Sequence, residues 1–517
     1  MRRKIRTLIV LSAMIIFSGC EDFLTDTPES VLTQTDFFTT PIRIDQGIIG
    51  CYAGMANILK DEWQFTEMRS DNTCVASTGT SSVDNVDYCD FKFFRTSPSA
   101  PRMQDFWYKI FQNISNVNAI LPSVADNRYM TNETLRAQYE AELLFIRAYH
   151  YYTLVNLWGD MFKVTKIIGP AEAKQINRSP IAEIYSEIIF PDLIKAAEQA
   201  PSVYPAASKG RITKWAAKSL LAKAYMMAGG TENLAKAKTL LEEVMTLSPH
   251  KLLTGAKAFE NVFSISNEMN DEIIFAVRYK AGSLGIGSPF WGLFAPEGSG
   301  NIFLKVGTPS GENSPTWELM NLFLSDTTDK RTSSSLRIWY KSATDSSQYK
   351  QYISKYMDPT MSYAEQSEND WIVIRFADVV LLYAEILAQD GNHGTAHNEV
   401  NKIRARAGVA TFAAPFASKN EALDSIYKER RLELAFENQR WFDLLRMNKS
   451  YGNPDKAVEI LKQHVFVTDW LILYGEYSKI SLPEQSAFIT KRLVLPIPQT
   501  EIDTNNELEI KQNDGYN

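Results

Sequence analysis

Between Tyr139 and Asp160 the chain reads YEAELLFIRAYHYYTLVNLWGD, with Ala141, Leu144, Phe145, Ala148, Tyr149, Tyr152 and Val155 recurring at three- and four-residue steps. That spacing predicts a long helix with one apolar, aromatic face, which must be covered. Gly159 supplies the flexible residue on which such a helix ends. The same period recurs elsewhere. Thr40-Pro41 opens a helix bearing Ile44, Ile48, Ile49, Tyr52 and Met55, since proline at the first helical position loses no hydrogen bond. Phe106–Leu121 is amphipathic, and Pro122 is expected to stop it. Helical patterns follow at Ile181–Ala200 and Lys214–Ala228; Gly229-Gly230 then breaks the chain and Thr231 is expected to cap Leu234–Thr246.

These helices come in pairs. WAAKSLLAKAYMMAGG with LAKAKTLLEEVM resembles a tetratricopeptide repeat, a helix hairpin that cannot cover its own apolar face and so stacks on neighbours. The helix at 139–158 with that at 181–198 reads as another pair, and Phe376–Gln389 with Asn398–Ala407 as a third. The expected fold is mainly α: tetratricopeptide-like pairs forming a scaffold, with an irregular loop-rich region and a few short strands. Residues 250–370 are that irregular region. Glu272–Arg278 is strand-like, and Gly282–Gly311 is rich in glycine and carries Phe290, Trp291 and Phe294. Long loops on a compact body are more often functional than idle.

The first nineteen residues differ from the rest. Arg2, Arg3, Lys4 and Arg6 precede an apolar run from Leu8 to Phe17, the layout of a secretory signal that is too short to span a bilayer. Phe17, Ser18, Gly19 and Cys20 then resemble a lipobox, in which Cys20 receives diacylglycerol and becomes the mature N-terminus. The alternative is an ordinary secretory signal followed by an incidental cysteine. Losing the leader's cations makes the body more acidic than the whole chain's −7, which disfavours nucleic acid as a partner. Cys51 falls in an apolar helical pattern and reads as a buried thiol. Cys74 and Cys89 flank a polar loop, so in an oxidising compartment they either form a disulfide, worth about 3 kcal/mol, or remain two thiols.

Five stretches, in order, resemble the RagB/SusD family of Bacteroidetes outer-membrane nutrient-binding lipoproteins. They are the 139–160 segment, DWIVIRFADVVLLYAEILAQDGN, VNKIRARAGV, YKERRLELAFENQRWFDLLR (with Asn438 where the family usually has glycine) and the C-terminal LVLPIPQTEIDTNNELEIKQNDGYN. The last departs from the family pattern at Asn506 and Asp514. The resemblance implies a signal peptide at 1–19, an extended tether at 20–40 and a single body at 41–517. Within that body, helical scaffold is expected at about 41–60, 104–248 and 371–450, and a ligand face at about 61–103 and 250–370. Residues 451–517 hold an insert, with Trp470, Tyr474 and Tyr477, and the closing family motif. It further implies an outer-membrane protein on a lipid anchor, facing the cell exterior in the sense that Glu21 and Asp22 mark surface lipoproteins, which binds an oligosaccharide and passes it to a SusC-like TonB-dependent transporter. A peptide or other non-glycan nutrient is the alternative cargo, and a glycan-active enzyme a remote one.

No residue pattern asks for a cofactor. His393 and His397 have helical metal-pair spacing, but HGTAH lacks the glutamate of a zinc hydrolase and reads as a solvated linker. Glu433, Glu437, Arg440, Asp443 and Arg446 could line a catalytic site, yet charges at three- and four-residue steps are expected to pair with each other and with neighbouring helices. Trp107, Trp158, Trp215 and Trp441 are expected in the core. Phe290 and Trp291 are the expected aromatic platform for a sugar ring. Trp63, Glu67, Arg69 and Asp71 are added as ligand contacts because the family carries such contacts in that region.

Overall fold

The computed structural model describes residues 37–74, 83–341, 347–464, 482–505 and 507–516. Cys20, the leader, most of the tether, and Trp470, Tyr474 and Tyr477 lie outside them. Helices carry the architecture: α1 (Pro41–Thr66), α2 (Val83–Lys92), α3 (Pro101–Ala125), α4 (Glu133–Trp158), α5 (Phe190–Gln199), α6 (Lys214–Ala228), α7 (Thr231–Leu247), α8 (Phe376–Gln389), α9 (His393–Ala407), α10 (Lys419–Glu433), α11 (Arg440–Ser450) and α12 (Gln499–Thr504). They stack in series. α1 packs on α3, α3 on α4, α4 on α5, α5 on α6, α6 on α7, α7 on α8, and α8 on both α9 and α10. The repeats that are interrupted in sequence are therefore contiguous in space, because α8 takes up the face that α7 exposes.

Among the described residues four antiparallel strand pairs accompany the stack. β4 (Ile273–Val277) pairs with β8 (Trp371–Arg375), which brings the two roots of the loop-rich insertion side by side against the helices. β1 (Thr73–Cys74) pairs with β5 (Ser314–Pro315), tying the first irregular region to the second. β2 (Met161–Phe162) pairs with β3 (Arg178–Ser179). β6 (Leu336–Lys341) and β7 (Ser347–Ile353) form a hairpin in the insertion.

The apolar face of α4 is covered as its spacing predicts, and so are its other sides: every residue from Ala141 to Trp158 is buried. The polar ones have partners. Glu142 accepts from Tyr52, Tyr204 and Arg211, and Arg147 makes a bidentate pair with Asp192 at 2.8 Å. Burial pushes His150 down to about 3, so it is a neutral core histidine beside the Asn113 amide at 2.8 Å. Gly159, at φ +81°, ends the helix and its N–H reaches the Val155 carbonyl. Trp107, Trp158, Trp215 and Trp441 are all buried, as is Cys51, whose thiol burial pushes up to about 12.

Several boundaries differ from expectation. α3 runs through Pro122 to Ala125, because a proline in the last turn removes one ladder bond without ending the helix at once. Ile181–Ala200 contains a π turn at Tyr185–Ile189 before α5. Gly230, at φ +87°, takes the cap position before α7, and Thr231 is its first helical residue. The supposed linker at His393 is instead the first turn of α9: the Asn392 side chain caps it, and His397 is buried against the Phe412 carbonyl at 2.9 Å. Cys74 lies in β1 opposite Ser314 and Cys89 on α2, and no disulfide joins them in this structure.

The charged segment at 429–446 is two helices. Residues 434–439 interrupt it, with Phe436 at φ +67° and Asn438 at φ +58°. Asn438 stands where the family usually has glycine; asparagine tolerates this left-handed backbone better than most residues do. The charges are structural. Arg375 bonds Glu433 at 2.6 Å, Glu437 at 2.7 Å and Glu272 at 2.9 Å, while Arg331 bonds Glu429 at 2.6 Å and Asp329 at 2.7 Å. Arg406 joins Glu272 and Glu433, and Lys355 joins Glu437 at 2.8 Å. A second group links Arg430 to Asp378 and Asp443, Arg446 to Glu385 and Asp443, and Lys223 to Asp378.

Removing one partner from such a group strands the other. Glu433→Gln is expected to lower the unfolding free energy by about 3–5 kcal/mol at neutral pH. Burial alone would raise the Glu433 carboxyl, but Arg406, Arg375 and Arg331 outweigh it and hold it below the usual carboxylate range. A carboxyl whose folded pKa is depressed stabilises above its unfolded value and loses that contribution as pH falls toward the folded one. The wild type is therefore expected to lose stability below about pH 4, with a shallower acid limb in Glu433→Gln; urea titrations across the acid range read both effects.

Candidate ligand-binding site

The best-placed aromatic surface belongs to the β6–β7 hairpin. LRIWYK alternates in the strand period: Leu336 and Tyr340 are buried, Ile338 is half-buried, and Arg337, Trp339 and Lys341 are exposed. Trp339, at 48% exposure, stands beside a trough of about 600 Å³. Ile302, Phe303, Leu324, Leu336, Tyr340 and Tyr352 supply its apolar lining, and Thr332, Ser333, Arg337 and Lys341 its polar groups. That volume lies within the range of small-ligand sites.

The trough has a rigid floor. Phe303 packs edge-on to Tyr340 at 5.4 Å and to Trp291 at 5.7 Å, and lies 5.2 Å from Tyr352. Trp291, Ala295, Leu304, Tyr352 and Met361 form a small apolar cluster beneath it, separate from the main core. Burial pushes the Tyr352 hydroxyl up, and the neighbouring Arg337 guanidinium pulls it the other way. Among the described residues the lining offers aromatic faces, hydroxyls and two cations, with no carboxylate, histidine or cysteine. It can stack on a flat ligand and donate hydrogen bonds to hydroxyl or acidic groups.

The six ligand contacts expected from sequence are elsewhere: Trp63, Glu67, Arg69, Asp71, Phe290 and Trp291 are each at most 1% exposed. Trp63 donates to the Lys60 carbonyl at 2.8 Å and packs edge-on to Phe294. Glu67 accepts from the Asn438 backbone N–H at 2.8 Å and from the Asn72 amide. Arg69 lies over Trp441 and donates to the carbonyls of Arg492 and Leu493; burial lowers it to about 10. Asp71 takes a bidentate pair from Arg440 at 2.7 and 2.8 Å. Phe290 packs on Trp371 at 4.3 Å. Only Trp291 belongs to the trough, as part of its support. Sequence reasoning missed Trp339, although the alternation of LRIWYK puts it in register with the charged positions.

Comparison with known proteins agrees with this architecture. A family model described as the SusD family matches residues 306–516, and one described as starch-binding associating with outer membrane matches residues 22–226. The chain belongs to the SusD family. Among curated relatives, SusD-like protein P25 of Formosa agariphila is 26% identical over 493 residues, covering 86% of this chain and 90% of that one. Among solved structures, a laminarin binding SusD-like protein superposes with a TM-score of 0.73 at 22% identity, covering 92% of this chain and all of the other. Surface glycan-binding protein A from Bacteroides thetaiotaomicron, in complex with laminarihexaose, gives a TM-score of 0.72 at 18% identity with the same coverage. At those identities the likeness to solved structures is one of fold. This SusD family chain shares the helical body across nearly its whole length.

The two tryptophans of this region are expected to separate in a stability measurement. Trp291→Ala should cost about 3–5 kcal/mol, because it empties the cluster under the trough. Trp339→Ala should cost about 0.5 kcal/mol, as a surface change does. Urea unfolding of both variants decides whether Trp291 is support and Trp339 surface.

Proposed function

We propose that this protein captures an oligosaccharide in the Trp339 trough, without catalysis, and delivers it to a SusC-like TonB-dependent transporter in the outer membrane. The observation that carries this reading is the half-exposed Trp339 indole beside a trough floored by Phe303, Tyr340 and Tyr352. Aromatic faces stack on the apolar faces of sugar rings at small entropic cost, and the hydroxyl and cationic side chains around the rim suit the ring oxygens. Among the described residues of the lining no carboxylate pair of the kind used in glycoside hydrolysis is present. Relatives in the same family include proteins named for laminarin and surface glycan binding. Membrane attachment follows from the lipobox resemblance at Cys20 and from the family description that associates it with the outer membrane. Domain limits of 1–19 for the signal, 20–40 for the tether and 41–517 for the body belong to this proposal.

Calorimetry of the mature chain against laminarin, other glycans and a peptide panel tests the reading. A glycan is expected to bind, Trp339→Ala to weaken it about tenfold, and the sugar to be recovered uncut. Binding of peptides alone, product formation, or glycan affinity unchanged in Trp339→Ala would overturn it.

A further inference from the structure

A second cavity, of about 400 Å³, opens between α3, β2 and α12, away from the hairpin residues. Three rings wall it. Trp107 and Phe111 of α3 lie 4.9 Å apart with their planes inclined by 45°, and Phe162 of β2 stands 6.1 Å from Trp107 at 88° and 6.5 Å from Phe111 at 63°. Inclined rings of this kind present their electron-rich faces and their edges in different directions around one space.

The fourth element is a carboxylate. Glu501 of α12 lines the same cavity, and the Trp107 indole N–H donates to its Oε1 at 3.1 Å, which fixes its position. Burial pushes the Glu501 carboxyl up, and only the Trp107 hydrogen bond counters it. Among the described residues no ion pair reaches Glu501, although Lys174 also lines the cavity. A partly buried carboxylate that makes no ion pair carries an uncompensated desolvation cost. The remaining lining, such as Ile168, is largely apolar and would cover an alkyl or aryl body.

We infer that this cavity binds a small organic ammonium ion, with the cation against the ring faces of Trp107, Phe111 and Phe162 and paired with the Glu501 carboxylate. Ring quadrupoles attract a desolvated cation, and the fixed carboxylate supplies the opposite charge. A neutral sugar can stack on the rings and donate a hydroxyl to Glu501, but it gains no charge pairing there. The cavity shares no lining residue with the trough.

Choline and its uncharged carbon isostere, in which a tert-butyl group replaces the trimethylammonium, are titrated into the full mature chain by calorimetry. Choline is expected to bind at least about tenfold more tightly than the isostere. Glu501→Gln keeps an oxygen for the Trp107 N–H while removing the charge, and is expected to weaken choline about tenfold with an unchanged melting temperature. Phe111→Leu, at a half-buried position, serves as a second variant with the same expectation, and Trp339→Ala is expected to bind choline as the wild type does. Equal affinity for choline and the isostere, undiminished choline binding in a folded Glu501→Gln protein, or no choline binding by the wild type would overturn the inference.

Discussion

The guanidinium of Arg375 meets three carboxylates where all four groups are buried, and the fold is arranged around that junction. Each partner comes from a different part of the chain: Glu272 from the start of β4, Arg375 from the end of β8, Glu433 from the end of α10, and Glu437 from the turn that follows. Arg406 of α9, Arg331 of the insertion and Lys355 after β7 extend the same group. A well-packed apolar core of equal volume could be as stable, because ion pairs repay their desolvation only when fully satisfied. In this docking of the insertion on the helices, the buried charges of Arg331, Lys355, Arg375 and Arg406 each face a carboxylate.

That arrangement positions the trough. β4–β8 closes the base of the insertion, and β1–β5 fastens it to the segment after α1, where Asp71 is gripped by Arg440. From this base the chain projects the small cluster around Trp291, and the β6–β7 hairpin rests on that cluster through Phe303. A surface built in this way is preformed, so that under the proposed function binding would spend little free energy on ordering loops. The ends of the insertion are fixed by these strand pairs and by the buried charges together.

The helical architecture was legible because burial imposes a period on the sequence, and α4 shows it most clearly. The charged helices after Glu429 were also read correctly as structural, since salt-paired spacing is a local signal. The site was legible only in outline. In EWQFTEMRSDN the polar residues look solvent-facing by composition, yet Glu67 and Asp71 are buried against Asn438 and Arg440, partners that no local pattern reveals. Trp291 is buried in the small cluster and not on the surface; a glycine-rich loop does not show which of its aromatics will be covered. The break at Leu434–Gln439 was hidden for a related reason: positive φ at Phe436 and Asn438 is imposed by tertiary contacts, including the Glu67 carboxylate on the Asn438 amide.

The central claim is that this charged junction and the helix stack form one cooperative unit, and native-state hydrogen exchange measures that directly. The amides of Phe376, Arg331 and Asn438, bonded respectively to the Glu272 carbonyl, the Asp329 carboxylate and the Glu67 carboxylate, report on the junction. The account predicts that they exchange only through global unfolding, with the same opening free energy as the amides in the middle of α4. Exchange through a local opening well below that value, with the α4 amides still protected, would contradict it.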